Sequence, residues 1–172
     1  MGFNNLTKPL LEFDYVLPSP IGKLGLTLSS NGIRRLAYIN NQYQDCIPTR
    51  GLAAQIYQQI NEYFQLVRIE FDLPIDIEGT HFQKRVWKQV AKIPYSESQT
   101  YGDIAKAIDS GPRAVGNACR RNPIPIIIPC HRVVKKSSMG GYCGSLVGRE
   151  IQQKDWLLRH EANVTSSDIS FQ

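Results

Sequence analysis

The residues best suited to chemistry are Cys130, His131 and Arg132, which directly follow Pro129. A cysteine becomes a nucleophile as its thiolate, and a neighbouring base or cation favours that form. The apolar run 124–128 predicts a strand, beyond which adjacent side chains point in opposite directions. We therefore expect a water molecule between His131 and the Cys130 sulfur, and a carboxylate beyond His131. The same residues also fit a buried structural cysteine beside a solvent-facing His-Arg pair, because free cysteines commonly pack as small hydrophobes.

The cysteine count bears on disulfides and metals. Four cysteines in 172 residues do not form a disulfide scaffold, so we interpret them as reduced thiols. Three of them and a histidine are candidate zinc ligands: Cys119, Cys130, His131 and Cys143. Because no C-x-x-C or H-x3-H spacing is present, we predict no metal site.

Charge is distributed unevenly along the chain. Residues 81–136 contain eleven Lys or Arg and three acidic residues, a net charge of +8, whereas residues 1–80 have a net charge of −2. A concentrated basic segment suits a polyanion such as nucleic acid. A solvated basic face explains the same charges equally well.

The rest of the composition excludes other classes. No apolar run approaches membrane-spanning length, and the N-terminus lacks the basic and apolar regions of a signal peptide. We therefore expect a cytoplasmic protein with no membrane association.

The pattern of residues 1–79 predicts a small sheet with a covering helix. Turn-forming clusters at 18–22 and 30–32 separate candidate strands at 11–17, 23–29 and 33–39. An amphipathic helix follows at 52–66, with a further candidate strand at 68–71 and a linker at 72–79. We expect an antiparallel sheet and helix that support the rest of the chain.

Residues 80–172 read as a second, mainly helical domain, which makes the whole chain α+β. Thr80 caps a helix that runs to about residue 92, and Pro94 stops it. Its buried stripe is expected to be Phe82, Val86, Val90 and Ile93. The pattern further predicts a buried strand at 124–128, a hairpin at 135–141 and a final helix at 149–161.

A helix-turn-helix is predicted at 100–120. Thr100 and Asp103 begin a short helix, and Pro112 stands at the first position of the next. That second helix has small residues on its exposed positions and Arg113 at its start. Small residues suit the narrow minor groove, and Arg113 can fill the space of a displaced base. Tight packing of one helix on another favours the same composition.

These motifs together closely resemble one family. Arg113-Ala114-Val115-Gly116 and Arg120-Arg121-Asn122-Pro123 precede the run Ile126-Ile127-Ile128-Pro129-Cys130-His131-Arg132-Val133-Val134. The set is similar to the O6-alkylguanine-DNA alkyltransferases, also called methylated-DNA–protein-cysteine methyltransferases. The resemblance is strong over 80–161 and only architectural over 1–79, and the length is that of small bacterial forms.

The resemblance implies a DNA repair reaction on duplex DNA. A guanine with an O6-alkyl group flips into a pocket, and the alkyl group passes in one irreversible displacement to Cys130. Each molecule then acts once, as a monomer and without a cofactor. The range of alkyl groups, activity on O4-alkylthymine and cooperativity on DNA stay open.

The resemblance also implies a role for individual residues. His131 is the base acting through water, Glu161 orients it, Asn122 braces the active-site turn, and Tyr101 donates a proton as guanine leaves. Arg113 is the intercalating finger. The other implied DNA contacts are Thr100, Ala114, Gly116 and Arg120, and the implied pocket residues are Val133, Val134, Tyr142 and Cys143.

The sequence departs from the family around the pocket, and two other classes remain as alternatives. The segment 130–142 is shorter than usual, 142–156 is longer, and Gly144-Ser145 replaces the usual Gly-Gly. A non-catalytic lesion sensor of the alkyltransferase-like type lacks the cysteine, so Cys130 argues against it. A helix-turn-helix regulator needs longer polar residues than Ala114, Gly116 and Ala118.

Overall fold

The computed structural model describes residues 12–167, with side chains up to residue 163. Its first half is an antiparallel sheet of β1 (Tyr15–Leu17), β2 (Lys23–Leu28) and β3 (Ile33–Ile39), in the order β1-β2-β3. The two predicted turns join these strands. The first strand is shorter than predicted, and the start of its predicted range lies outside the described residues.

Helix α1 (Gly51–Phe64) covers the sheet, as predicted, and buries Ala53, Ile56, Ile60 and Tyr63. The strand predicted at 68–71 is wrong. The chain there turns back over the end of α1, because the backbone amides of residues 67 and 68 both donate to the carbonyl of Glu62. The Arg68 side chain adds an ion pair with the Glu62 carboxylate at 2.7 Å.

The second half begins with α2 (His81–Val90), whose Thr80–Gln83 capping box fixes its start as predicted. It buries Val86, Trp87 and Val90, whereas Phe82 is only half-buried. Further along, β4 (Gln99–Thr100) leads into α3 (Tyr101–Ala107), which also has a capping box, and α4 (Pro112–Arg120) begins with proline. These two helices form the predicted helix-turn-helix.

The segment before Cys130 corrects a prediction. Residues 124–128 form a compact turn and not a strand, because prolines at 123, 125 and 129 lack the N–H groups that a ladder needs. The Asn122 side chain replaces those bonds: its oxygen accepts from Ile124 N at 3.0 Å and its nitrogen donates to Ile128 O at 2.8 Å.

The chain then makes one turn of 3₁₀ helix at Cys130–Arg132 and enters β5 (Val133–Val134), which pairs in parallel with β4. The sequence did not predict this pairing. The hairpin predicted at 135–141 is reduced to a tight turn closed between Lys135 and Ser138. The final helix, α5 (Arg149–Ser167), extends beyond its predicted end.

The buried residues of both halves form one continuous core, which includes Leu24 and Ile56 from the first half and Val86 and Leu157 from the second. The structure thus confirms the α+β class, while the boundary between 79 and 80 stays a prediction. Over residues 12–167, no helix is long and apolar enough to cross a bilayer.

Candidate active site and DNA-binding surface

A cavity of about 520 Å³ opens beside the helix-turn-helix, and Cys130 forms part of its wall. Helices α3 and α4, the turn at 134–136 and the loop at 141–146 supply the rest of the wall. Most of the residues that the sequence predicted for DNA or pocket contacts lie here: Thr100, Arg113, Gly116, Arg120, Val134, Tyr142 and Cys143. Tyr101, which was predicted to donate to the leaving guanine, also lines the cavity.

Two predicted residues lie elsewhere. Val133 is fully buried and does not line the cavity, because β5 turns its side chain into the core. Ala114 is half-buried on α4 and also lies outside the cavity wall. Arg113 is exposed at the start of α4. Cys119, which the sequence indicated only as a candidate zinc ligand, also lines the cavity.

The Cys130 thiol is held by its surroundings. Asn122 Nδ2 donates to the Cys130 sulfur at 3.0 Å and also bonds Ile128 O, so one amide fixes both the turn and the thiol. Burial raises the pKa of Cys130, while the hydrogen bond from Asn122 and the charge of Lys154 act against that rise. The resting state is therefore a thiol that needs a base to become a nucleophile.

His131 points away from water toward Glu161. Its Nε2 lies 2.7 Å from Glu161 Oε1, and both side chains are buried. Burial lowers the pKa of His131 despite the neighbouring carboxylate, which keeps the imidazole neutral at pH 7. With Glu161 ionised, Nε2 carries the proton, so Nδ1 is the free basic nitrogen. Within the described residues, this buried Nδ1 has no hydrogen-bond partner.

Glu161 is the centre of a buried ion cluster. Arg132 donates to both carboxylate oxygens at 2.9 Å, and the Ser96 amide donates to Oε2 at 3.1 Å. Tyr63 from α1 donates to Oε1 at 2.8 Å. Although burial raises the pKa of Glu161, the hydrogen bonds from His131 and Arg132 hold it well below its usual range. Because His131 and Arg132 are both buried, the alternative of a solvent-facing His-Arg pair is wrong.

Lys154 was missed from the sequence. Its ammonium group is fully buried behind the cavity and donates to Val133 O at 2.6 Å and to Gly141 O at 3.0 Å. Burial lowers the pKa of Lys154 to about 8. The sequence contained an indication of its burial, because Lys154 lies at helical spacing from Leu157 and Glu161 and so on the same face of α5.

Two tyrosines of the cavity are also fixed by contacts. Tyr101 donates to Gly141 O at 3.3 Å, and burial raises its pKa, so its hydroxyl stays protonated. The Tyr142 hydroxyl lies 2.8 Å from that of Tyr38 on β3. The N-terminal sheet therefore reaches the wall of the cavity, which nothing in residues 1–79 had indicated.

Cys119 and Cys143 line the cavity with Cys130, yet in the described part of the chain no group of three or more His, Cys, Asp or Glu is arranged to hold a metal ion.

Known proteins are similar to this chain in sequence and in fold. The family model described as "6-O-methylguanine DNA methyltransferase, DNA binding domain" matches residues 81–163. The chain is 40% identical to the constitutive methylated-DNA–protein-cysteine methyltransferase of Bacillus subtilis, over 74% of this chain and 84% of the relative. It is 37% identical to the methylated-DNA–protein-cysteine methyltransferase of Mycobacterium tuberculosis, over 90% of this chain and 94% of the relative. The structure of Mycobacterium tuberculosis OGT in complex with DNA matches with a TM-score of 0.75 and 38% identity, over 87% of this chain and 92% of that one.

Fold and site together define a DNA-binding α+β protein with a helix-turn-helix and a cysteine-lined cavity. The chain belongs to the methylated-DNA–protein-cysteine methyltransferase family. This confirms the resemblance and the enzyme class: a DNA repair enzyme that transfers a methyl group from DNA to a protein cysteine.

Proposed function

We propose that Cys130 is the acceptor, and that the donor is O6-alkylguanine flipped out of duplex DNA into the cavity. The observation that carries the proposal is the position of Cys130. It lies in the wall of the cavity beside α4 of the helix-turn-helix, and the next residue, His131, is hydrogen-bonded to Glu161. A base inside a duplex is out of reach of such a thiol, so it must be extruded before chemistry occurs.

The proposed step is a single displacement at the alkyl carbon. The Cys130 sulfur forms the new S–C bond as the C–O bond to guanine breaks, and guanine leaves with the electron pair. The thiol proton passes through a water molecule to His131 Nδ1, and Glu161 stabilises the imidazolium that forms. Tyr101 donates a hydrogen bond to the departing base, because its hydroxyl stays protonated.

The residues around the cavity also bind the DNA and position the reacting groups. Arg113 fills the space left by the flipped base, while Thr100, Gly116 and Arg120 contact the DNA around the cavity mouth. Asn122 holds the thiol, and Tyr142, Cys143 and Val134 surround the base. Residues 1–79 act as the supporting unit, through Tyr38 and Tyr63.

The test is incubation with a duplex that contains one O6-methylguanine. We expect the protein to gain one methyl group per molecule, and peptide mass spectrometry to locate it on Cys130. Cys130→Ser binds the duplex but gains no methyl group. A wild-type protein that binds the duplex and stays unmodified is a lesion sensor, and methyl on Cys119 or Cys143 instead identifies a different acceptor.

A further inference from the structure

A short loop beside the cavity exposes apolar side chains to water. We call residues 144–148 the rim loop. Within residues 12–163, its Val147 (80% exposed) and Leu146 (73% exposed) are among the most exposed large apolar side chains, together with Val67 (73%). Such exposure on a folded protein marks a contact surface when the residues adjoin a functional site.

The rim loop is anchored at both ends. Tyr142 and Ser145 exchange backbone hydrogen bonds at 3.0 and 2.8 Å, and Gly148 accepts the Gln152 amide at 3.2 Å as α5 begins. Gly144 has a φ of 90°, and a Cβ there would lie 2.6 Å from Arg120 Nε. The loop therefore packs against α4, and its apolar tip projects from a fixed base.

The surroundings of the tip indicate its partner. Leu146 lines the cavity together with Cys130, and four cations line the same cavity: Arg113, Arg120, Lys135 and Lys136. Apolar side chains next to cations are complementary to DNA. The apolar groups can contact deoxyribose and base faces, while the cations pair with the phosphates. Apolar side chains that press against unstacked bases are a known device of minor-groove binders.

We propose that Leu146 and Val147 form a second DNA-contact element, which packs against the sugar and base faces of the strand that carries the reacting nucleotide. This rests on the proposed function, because it takes the cavity as the site of the flipped base. Arg113 on α4 and the rim loop then hold the opened strand from two different elements of the fold. The contact adds apolar burial and leaves the phosphate contacts to the cations.

The experiment compares the full-length wild type with Leu146→Ser/Val147→Ser and with Val147→Ser alone. Duplex affinity and the single-turnover rate are measured with O6-methylguanine DNA, and transfer is also measured from the free O6-methylguanine base. We expect the double variant to bind the duplex about 10-fold more weakly, as loss of one good apolar contact implies. Transfer from the free base stays unchanged in Val147→Ser, because the Val147 side chain does not line the cavity. The slope of log affinity against log salt stays unchanged in both variants, because no phosphate contact is lost.

Val67→Ser is the matched control, since it removes an equally exposed aliphatic group that does not line the cavity. Unchanged duplex affinity in the double variant overturns the inference. An equal loss of transfer from the free base also overturns it, because Leu146 then shapes the pocket and not the DNA contact. Val147→Ser, which leaves the cavity wall intact, is expected to show part of the affinity loss.

Failure of the proposed function gives a different pattern. If the wild type gains no methyl on Cys130 while the double variant still binds duplex more weakly than Val67→Ser, the rim contact stands and the assignment of Cys130 falls.

Discussion

Tyr63 of α1 donates a hydrogen bond to Glu161 of α5 across 2.8 Å, in the fully buried space behind His131. The same Glu161 oxygen lies 2.7 Å from His131 Nε2. An N-terminal residue thus shares an acceptor with the proposed catalytic base. The N-terminal half therefore contributes to the site, because Tyr63 positions the Glu161 carboxylate and Glu161 positions the His131 imidazole.

Tyr63→Phe removes this hydroxyl and little else. We expect it to lower the free energy of unfolding by about 1.5–3 kcal/mol, the range for a hydrogen bond to a charged group. Urea denaturation measures the loss. The control is Tyr57→Phe in the same helix, where the Tyr57 side chain is half-buried. Equal losses in the two variants would show that the bond to Glu161 contributes nothing of its own.

Glu161→Gln keeps the shape of the side chain but removes its charge. The amide can donate toward His131 Nε2 and so favours the wrong tautomer, and Arg132 loses its counter-ion. We expect methyl transfer to slow by about 100-fold or more, the size of a general-base contribution, with duplex affinity unchanged. Single-turnover kinetics and a binding titration separate the two effects. Asp155→Asn removes the charge of a half-buried carboxylate of α5 that pairs with Arg159, and it should leave both quantities at wild-type values.

Arg113→Ala tests base extrusion separately from the chemistry. We expect slower transfer from duplex DNA and an unchanged rate from the free O6-methylguanine base, since only the duplex requires a flipped nucleotide. Arg113→Lys keeps the charge and separates phosphate attraction from the filling of the base stack. Wild-type repair of duplex DNA by Arg113→Ala would remove the finger assignment.

At acidic pH, the rate of methyl transfer should depend on the protonation of His131. Burial lowers its pKa from the ordinary value of 6.5, so the neutral base is present at pH 7 and is lost at a pH below 6.5. We expect the single-turnover rate to fall with a midpoint below pH 6.5. Folding stability should fall in the same direction, because the unfolded chain binds a proton on His131 below pH 6.5 more readily than the folded chain does. It should fall further below about pH 4.5, where Glu161 is protonated more easily in the unfolded chain.

At alkaline pH, the rate of methyl transfer should depend on the deprotonation of Lys154. Its pKa of about 8 means that the cation which favours the Cys130 thiolate is lost as the pH rises through 8. We expect the transfer rate to decline there, and Lys154→Met to be slower at pH 7 and to lack this decline. Lys92→Met, at an exposed position, provides the comparison. If the transfer rate of Lys154→Met declines equally above pH 8, the decline belongs to a group other than Lys154.

Local chemistry made much of the fold predictable. Capping at Thr80 and Thr100, the proline at the start of α4 and the Asn-Gly turn each act within a few residues, and the structure has each of them as expected. The errors arose where local patterns were ambiguous. An apolar run predicts a strand at 124–128, but the prolines at 123, 125 and 129 and the Asn122 amide favour a turn.

The sequence by itself determined the family, the α+β class and the residues at the centre of the proposed site, because these depend on motifs that lie within a short stretch of chain. Only the tertiary structure decided what surrounds them. Lys154, Tyr63 and Tyr38 reach the site from separate elements, at 21 or more residues from Val133, Glu161 and Tyr142, which they contact. Long-range packing brings them there, and burial then shifts the pKa values of Cys130, His131 and Lys154, which no local pattern encodes.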